Sequence, residues 1–404
     1  MSIKVTRKKG KIPVDALLSK NQNLLKSAIP LVKIYDKRLD SLNHWWGKIS
    51  LIGQINSHNV SDSILEEMHH TKDKFSELQG ELIQNLLKEH LQKRIADDHN
   101  KSQVAIDILI RNLFERTADV GFLATDDDIR TFLLKENKQP EDMLAIQSRL
   151  AEYVKKYSVY DEIIILDTNG VVQANLDTNS GITQSFDSLI VNTLTSSEEY
   201  TETFGKSDLQ PNRAQSLIYS CAIKSTNEDN AQILGVLCLC FRFDDEMQSI
   251  FKHLQPSNAT SNIMIIDNNG EIIASNNPQK FSLGTNLKQK KSPHLMTFKH
   301  QAYLSTTTAT KGYQGFNGLS WCGQVVTSLQ DAFIHSEEIQ RSPTESFDLL
   351  NSQLFSAQLK AIYKTSELVK DDLNLVVLNG IIAAARNNAV EFMPVLTEIK
   401  KTGE

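Results

Sequence analysis

Apolar positions along the chain follow two periods. Up to about residue 157 they recur every three or four residues, as on one face of a helix. From about 160 to 329 they come in short β-branched and aliphatic runs broken by Gly, Asn and Asp, as in strands and turns. Leu17, Leu18, Leu24, Leu25 and Ile29 share one helical face behind Pro13, which suits a first helical turn, and Pro30 ends or kinks that helix. Trp45 and Trp46 follow as helix-packing aromatics. Ser63 and Glu66 form a capping box. Beyond it Met68, Phe75 and Leu82 lie seven apart with Leu78 and Leu86 between them, a heptad stripe for a long helix on a neighbour, on a second copy, or on its own core. A further helix is expected from Ser102 to about Leu123, a short one through Leu134 opened by a capping box of Thr125 and Asp128, and another from Pro140 to about Tyr157.

The strand region contains a repeat. Residues 162–175 return as residues 262–276 without a gap, so that Ile163 falls on Ile263, Asp167 on Asp267, Asn169 on Asn269, Gly170 on Gly270 and Ala174 on Ala274. Each copy is an aliphatic run, Asp-x-Asn-Gly, and a second β-branched run. This is a hairpin signal, because Asn-Gly supplies the positive φ angles of a tight turn. After the first hairpin, residues 181–212 are polar and irregular with one helix near 186–194. Strands at 216–224 and 233–243 and a helix at 244–254 close a first module. The second repeats the plan in shorter form, with strands at 301–310 and 319–329 joined by a flexible loop bearing Gly312, Gly315 and Gly318. Past Ser342-Pro343 the tail is helical, with Leu349, Leu350, Leu354, Leu359 and Ile362 on one side, and the chain has the look of the front part of something longer. The fold class is α+β: two tandem PAS-like modules of antiparallel sheet with hairpins, flanked by long N- and C-terminal helices. The domains expected are 1–100 helical, 101–160 a helical entry, 161–255 the first module, 256–340 the second and 341–404 helical.

Composition narrows the function. With 404 residues, 40% hydrophobic, the chain has room for two or three domains. A net charge of −6 gives no reason to expect nucleic acid, and the basic run at residues 4–11 reads as a solvated terminus. Cys221, Cys238, Cys240 and Cys322 sit in expected strands as buried free thiols, and C-x-C lacks zinc spacing. Adjacent His69 and His70 point apart on a helix and cannot grip one metal; Asp126 to Asp128 suit a helix N-terminus better than a cation. No metal and no cofactor is expected. There is no G-x-S-x-G, H-E-x-x-H, phosphate-cradling loop or C-x-x-C, so the chain is not expected to be an enzyme. With no secretory leader or membrane-length apolar run, the expected location is cytoplasmic.

Several phrases carry a resemblance. Asn112-Leu-Phe-Glu-Arg-Thr-Ala-Asp-Val-Gly-Phe-Leu-Ala-Thr125, the two hairpins, Ile218-Tyr219-Ser220, and Gly318-Leu-Ser-Trp321 resemble bacterial chemoreceptor-like proteins with double Cache sensor domains, over roughly residues 101–335. The resemblance implies a small-molecule sensor that holds a metabolite in the first module and relays its presence through flanking helices to a chemotaxis or other signalling partner. It points to Tyr219 and Ser220 as ligand contacts, then Tyr157, Asp161 and Arg213. The arginine, tryptophan and tyrosine cluster of amino-acid-binding members is not visible. Tyr219 and Ser220 sit on opposite faces of one strand, and the plain structural alternatives are a core tyrosine with a backbone partner and a serine facing water. A second reading is an interaction module without a ligand, whose helices form a homodimer or dock partners.

Overall fold

A computed structural model describes residues 14–56, 62–228, 231–255, 260–287 and 292–333. Pro13, the basic run at 4–11, the Ser63 side chain and the helical tail expected from 344 lie outside the described residues. The described residues divide into two compact units: those within 14–97 with 293–304 and 327–333, and those within 98–292 with 305–326.

The first unit is built on α1 (Val14–Ala28), α2 (Pro30–Asn56) and the leading part of α3 (Asp62–Ala124). Pro30 does mark a break, with α1 ending at Ala28 and α2 opening on the proline. Leu25, Ile29, Ile83, Leu87, Leu91 and Ile95 form its core. The four-residue spacing of the last four is what a helix needs to stack side chains on one face. Trp46 is buried and its indole N–H donates to the Met68 carbonyl at 3.0 Å, whereas Trp45 is exposed beneath Lys48.

α3 runs unbroken for 63 residues, where the sequence suggested a second helix starting near Ser102. The polar stretch around Asp97 to Lys101 interrupts the apolar pattern but not the backbone. Ser102 is buried, its hydroxyl turned back to the His99 carbonyl at 3.0 Å and bonded to Thr308 at 2.9 Å. Burial there is satisfied by hydrogen bonds, which hydrophobic periodicity cannot register.

The second unit continues through α4 (Asp127–Leu134), α5 (Pro140–Lys156), β1 (Tyr160–Leu166), β2 (Val172–Asn175), α6 (Ser188–Thr195), β3 (Thr201–Gly205), β4 (Ser216–Lys224), β5 (Ile233–Phe241) and α7 (Phe243–Leu254). The cap of α4 is Asp126, which accepts from the N–H groups of Asp128 and Ile129. Thr125, the expected cap, instead donates to the Phe122 carbonyl and closes the preceding helix. A carboxylate one residue nearer the helix reaches the free N–H groups better than a hydroxyl committed elsewhere.

β6 (Ser261–Ile266), β7 (Ile272–Ser275), β8 (His294–Phe298), β9 (Gln301–Ala309) and β10 (Cys322–Ser328) complete the described elements. The two sheets have the orders β2-β1-β5-β4-β3 and β7-β6-β10-β9-β8, the same order twice. This is the α+β plan of two tandem PAS-like modules behind a long helix that the double Cache resemblance implied. Sequence periodicity missed both outer strands, β3 and β8, because edge strands are short and partly polar.

The two hairpins are built alike, although not with the turn expected. Among the described residues Gly170 and Gly270 have positive φ, at 80° and 83°, and Asn169 and Asn269 do not. Asp167 Oδ1 accepts the N–H groups of Asn169 and Val171 at 2.8 and 2.9 Å, and Asp267 Oδ1 those of Asn269 and Glu271 at 2.9 and 2.8 Å. The aspartate therefore holds the turn and the glycine alone takes the left-handed position, giving a type I turn with a glycine bulge. At Gly170 a Cβ would stand 2.4 Å from the Ser185 carbonyl oxygen.

Cys221, Cys238 and Cys240 are buried and Cys322 is half-buried; all four are free thiols. Burial pushes the Cys221 thiol up to about 11.

Candidate functional site

β1, β4 and β5 supply a nearly continuous apolar sheet, and the pleat sends alternate residues to its two faces. One face carries Ile163, Ile165, Tyr219 and Leu239 against Leu109 and Leu113 of α3. The other carries Ile164, Ile218, Cys238 and Cys240 against Leu189 and Ile190 of α6. Tyr219 and Ser220 accordingly point to opposite sides.

On the α3 side, β3 and β4 pair in register with Glu202 opposite Tyr219. The Tyr219 hydroxyl donates to Glu202 Oε1 at 2.6 Å, so its partner is a carboxylate and not the backbone. The Tyr200 ring lies 6.4 Å from that of Tyr219, and the Tyr200 hydroxyl meets the Thr117 side chain of α3. Tyr219 is fully buried while Tyr200 and Glu202 are half-buried at the sheet edge. Burial pushes the Glu202 carboxyl above its usual range and the Tyr219 hydrogen bond only partly offsets it. Burial also raises the Tyr219 hydroxyl well above its ordinary value, with the Glu202 charge adding to the effect.

Further along this face Tyr160 donates to Asp119 Oδ2 at 2.6 Å, and Arg116 pairs with Asp119 at 3.3 Å while covering the Tyr160 ring. Tyr153 stacks here between Tyr160 and Tyr157, with ring centroids 6.2 and 4.9 Å away. Tyr157 is thus the outermost ring of a ladder at the end of α5.

On the α6 side Ser220 is fully buried instead of facing water. Its hydroxyl forms a triangle with Thr193 at 2.7 Å and Thr201 at 3.0 Å, and Thr193 and Thr201 are 2.6 Å apart. The triangle ties α6 to β3 and β4.

Asp161 and Arg213 belong to a third place. Arg213 pairs with Asp161 and, at 3.2 Å, with Asp244, and Arg242 reaches Asp161 at 3.2 Å. Burial raises the Asp161 carboxyl against the pull of Arg213 and then Arg242. The neighbouring Glu162 is also raised by burial, although it accepts the N–H groups of Ile163, Leu176 and Asp177.

The five residues singled out from sequence therefore do not converge. Of the five, Tyr219 alone lies in the cluster of Glu202 and Tyr200. Sequence reasoning missed Glu202 and Tyr200, yet a signal was there: in Tyr200-Thr-Glu-Thr-Phe204, larger side chains alternate with threonine at the period of a strand. Among the described residues, no group of three or more His, Cys, Asp or Glu side chains is placed to hold a metal.

No protein-family model matches the chain, and no characterised protein matches it in sequence. Solved structures do. The sensor domain of the V. cholerae histidine kinase DctB is similar at 12% identity, with 61% of this chain and 98% of that one covered and a TM-score of 0.42. The ligand-binding domain of the Pseudomonas fluorescens chemoreceptor CtaA, in complex with L-leucine, is similar at 15% identity, with 60% and 97% covered and a TM-score of 0.43. The extracellular domain of rpHK1S-Z16 is similar at 12% identity, with 59% and 95% covered and a TM-score of 0.43.

The cytoplasmic location expected from the sequence does not stand. It rested on the absence of a leader and of a span, and a matched structure is an extracellular domain. Among the described residues no helix is long and apolar enough to cross a membrane, which by itself assigns no compartment.

Proposed function

We propose that the chain is a small-molecule sensor whose first module, residues 161–255, binds a metabolite at the Glu202, Tyr219 and Tyr200 edge of its sheet. The ligand would carry a protonated nitrogen. The observation that supports this is the Glu202 carboxylate: half-buried, raised by desolvation, bonded to a neutral hydroxyl and flanked by aromatic rings. An ammonium group there would supply the opposite charge and lie against tyrosine faces, which attract cations. Tyr200 also touches α3 through Thr117, so a ligand that moves β3 has a path to the long helix. Binding would shift the balance between two helix arrangements that a downstream signalling partner reads.

The test is a thermal-shift screen of the full chain against amines, amino acids, carboxylates, purines and sugars, repeated on Glu202→Gln. A ligand at a hundred times its dissociation constant adds about 2.7 kcal/mol to the folded state and raises the midpoint visibly. The expected result is a hit among the amine-bearing compounds that is lost in Glu202→Gln. Silence across the panel, or a hit indifferent to that substitution, overturns the proposal.

A further inference from the structure

The glycine-bearing loop between β9 and β10 takes no part in the candidate site, yet its backbone is unusual. Gly312, Gln314, Gly315, Gly318 and Ser320 all have positive φ, between 50° and 87°. Tyr313 and Phe316 close a turn with two backbone hydrogen bonds, 2.8 and 2.9 Å long, and set their rings on Phe114 of α3 at 5.3 and 6.0 Å. Asn317 and Gly318 follow that turn. Asn317 is exposed, and among the described residues the Gly318 N–H has no hydrogen-bond partner.

Asn-Gly also occurs at Asn169, Asn269 and Asn379, the last outside the described residues. In the two hairpins the pair is held. Gly170 and Gly270 donate their N–H groups to the Asp167 and Asp267 carbonyls at 3.1 and 3.0 Å. The Asn169 and Asn269 carbonyls accept from the side chains of Gln184 at 3.3 Å and Asn286 at 2.8 Å. The Asn269 side chain is tied as well, its Nδ2 donating to Asp267 Oδ2 at 3.2 Å.

The difference bears on a reaction of asparagine, a thermolabile residue. The glycine nitrogen, its proton passed to hydroxide, attacks the asparagine Cγ. A bond forms between them, the bond from Cγ to Nδ2 breaks, and ammonia leaves with a proton taken from water. Water then opens the cyclic imide, at Cγ to give aspartate or at the main-chain carbonyl to give isoaspartate. To bring the nitrogen to Cγ, the rigid peptide plane between the two residues turns as a unit, which breaks any hydrogen bond of the glycine N–H. We propose that Asn317 is a site of spontaneous conversion to isoaspartate, and that the fold shields Asn169 and Asn269 from the same chemistry. Isoaspartate adds a methylene to the backbone beside Gly318, where a Cβ would already stand 2.9 Å from Ile110 Cδ1 of α3. The lengthened loop then lifts Tyr313 and Phe316 from Phe114. The change needs no ligand, so it stands apart from the sensor reading.

The test ages the full chain at mildly alkaline pH, folded and in concentrated urea. Mass spectrometry of digests follows each Asn-Gly peptide separately, and electron-transfer fragmentation tells isoaspartate from aspartate. In the folded chain Asn317 is expected to react about tenfold faster than Asn169 or more, since it has no such hydrogen bond to break, and Asn269 slowest of the three. In urea the three rates are expected to converge. Hydrogen exchange around Ile110 and Phe114 is expected to quicken in the aged wild type and not in Asn317→Gln aged beside it. Equal rates at the three sites in the folded chain, a rate order that persists unchanged in urea, or exchange no faster than in Asn317→Gln overturns the proposal.

Discussion

Glu202 and Tyr219 show how one cross-strand pair sets both a stability and a pH dependence. Tyr219→Phe leaves the Glu202 carboxylate half-buried without its hydrogen bond, and is expected to cost about 1–3 kcal/mol in urea unfolding. The sign for Glu202 follows from its raised carboxyl. The folded chain holds that proton more tightly than the unfolded chain does, so the group favours folding below the ordinary value of 4.5 and loses that contribution as pH rises through its folded value. Glu202→Gln removes the slope. Unfolding midpoints measured from pH 4 upward are therefore expected to move in the mutant's favour relative to the wild type as pH rises. A constant difference would show that burial is not acting on this group. Tyr219 was legible as a strand tyrosine, but not its partner. The pairing is set by the β3–β4 register, which joins residues 17 positions apart.

The hairpin is the clearest case of an element written locally. Asp167 and Gly170 sit three apart and supply, respectively, an acceptor for two N–H groups and the one positive φ, and Asp267 and Gly270 repeat the device a hundred residues on. Asp167→Ala is expected to cost about 1–2 kcal/mol by leaving two turn N–H groups without their acceptor. Asp167→Asn, which keeps an acceptor oxygen, is expected to recover most of that. Chemical denaturation of both variants checks it, and equal losses would mean the carboxylate charge, not its geometry, holds the turn. The edge strands are the opposite case. β3 and β8 have too little hydrophobic alternation to announce themselves, and form because β4 and β9 offer free ladders. Glycine tells the same story: Gly323 has no turn to explain it, yet a Cβ there would stand 2.1 Å from the Ser102 carbonyl oxygen of α3.

At the scale of the molecule α3 contributes to two different hydrophobic cores. Leu91 is fully buried in the core of the first unit and Leu109 in that of the second, although both lie on α3. Either residue changed to alanine is expected to cost about 2–5 kcal/mol. Differential scanning calorimetry should resolve where each loss falls, with Leu91→Ala and Leu109→Ala lowering different transitions. A single transition lowered equally by both would mean that the two cores unfold as one.

The sequence by itself determined the modular repeat, the hairpins, the central strands and most helices. Each of these depends on residues within a few positions of one another, through backbone sterics, turn chemistry and hydrophobic period. The tertiary structure decided the continuity of α3 through its polar stretch, the edge strands, the cap of α4 and the composition of the candidate site. Glu202, Tyr200 and Thr117 become neighbours only when β3 pairs with β4 and the sheet closes on the long helix. The physical reason is that burial and pairing are properties of the packed chain: whether a carboxylate lies in water or against tyrosine rings is not encoded in its own few neighbours.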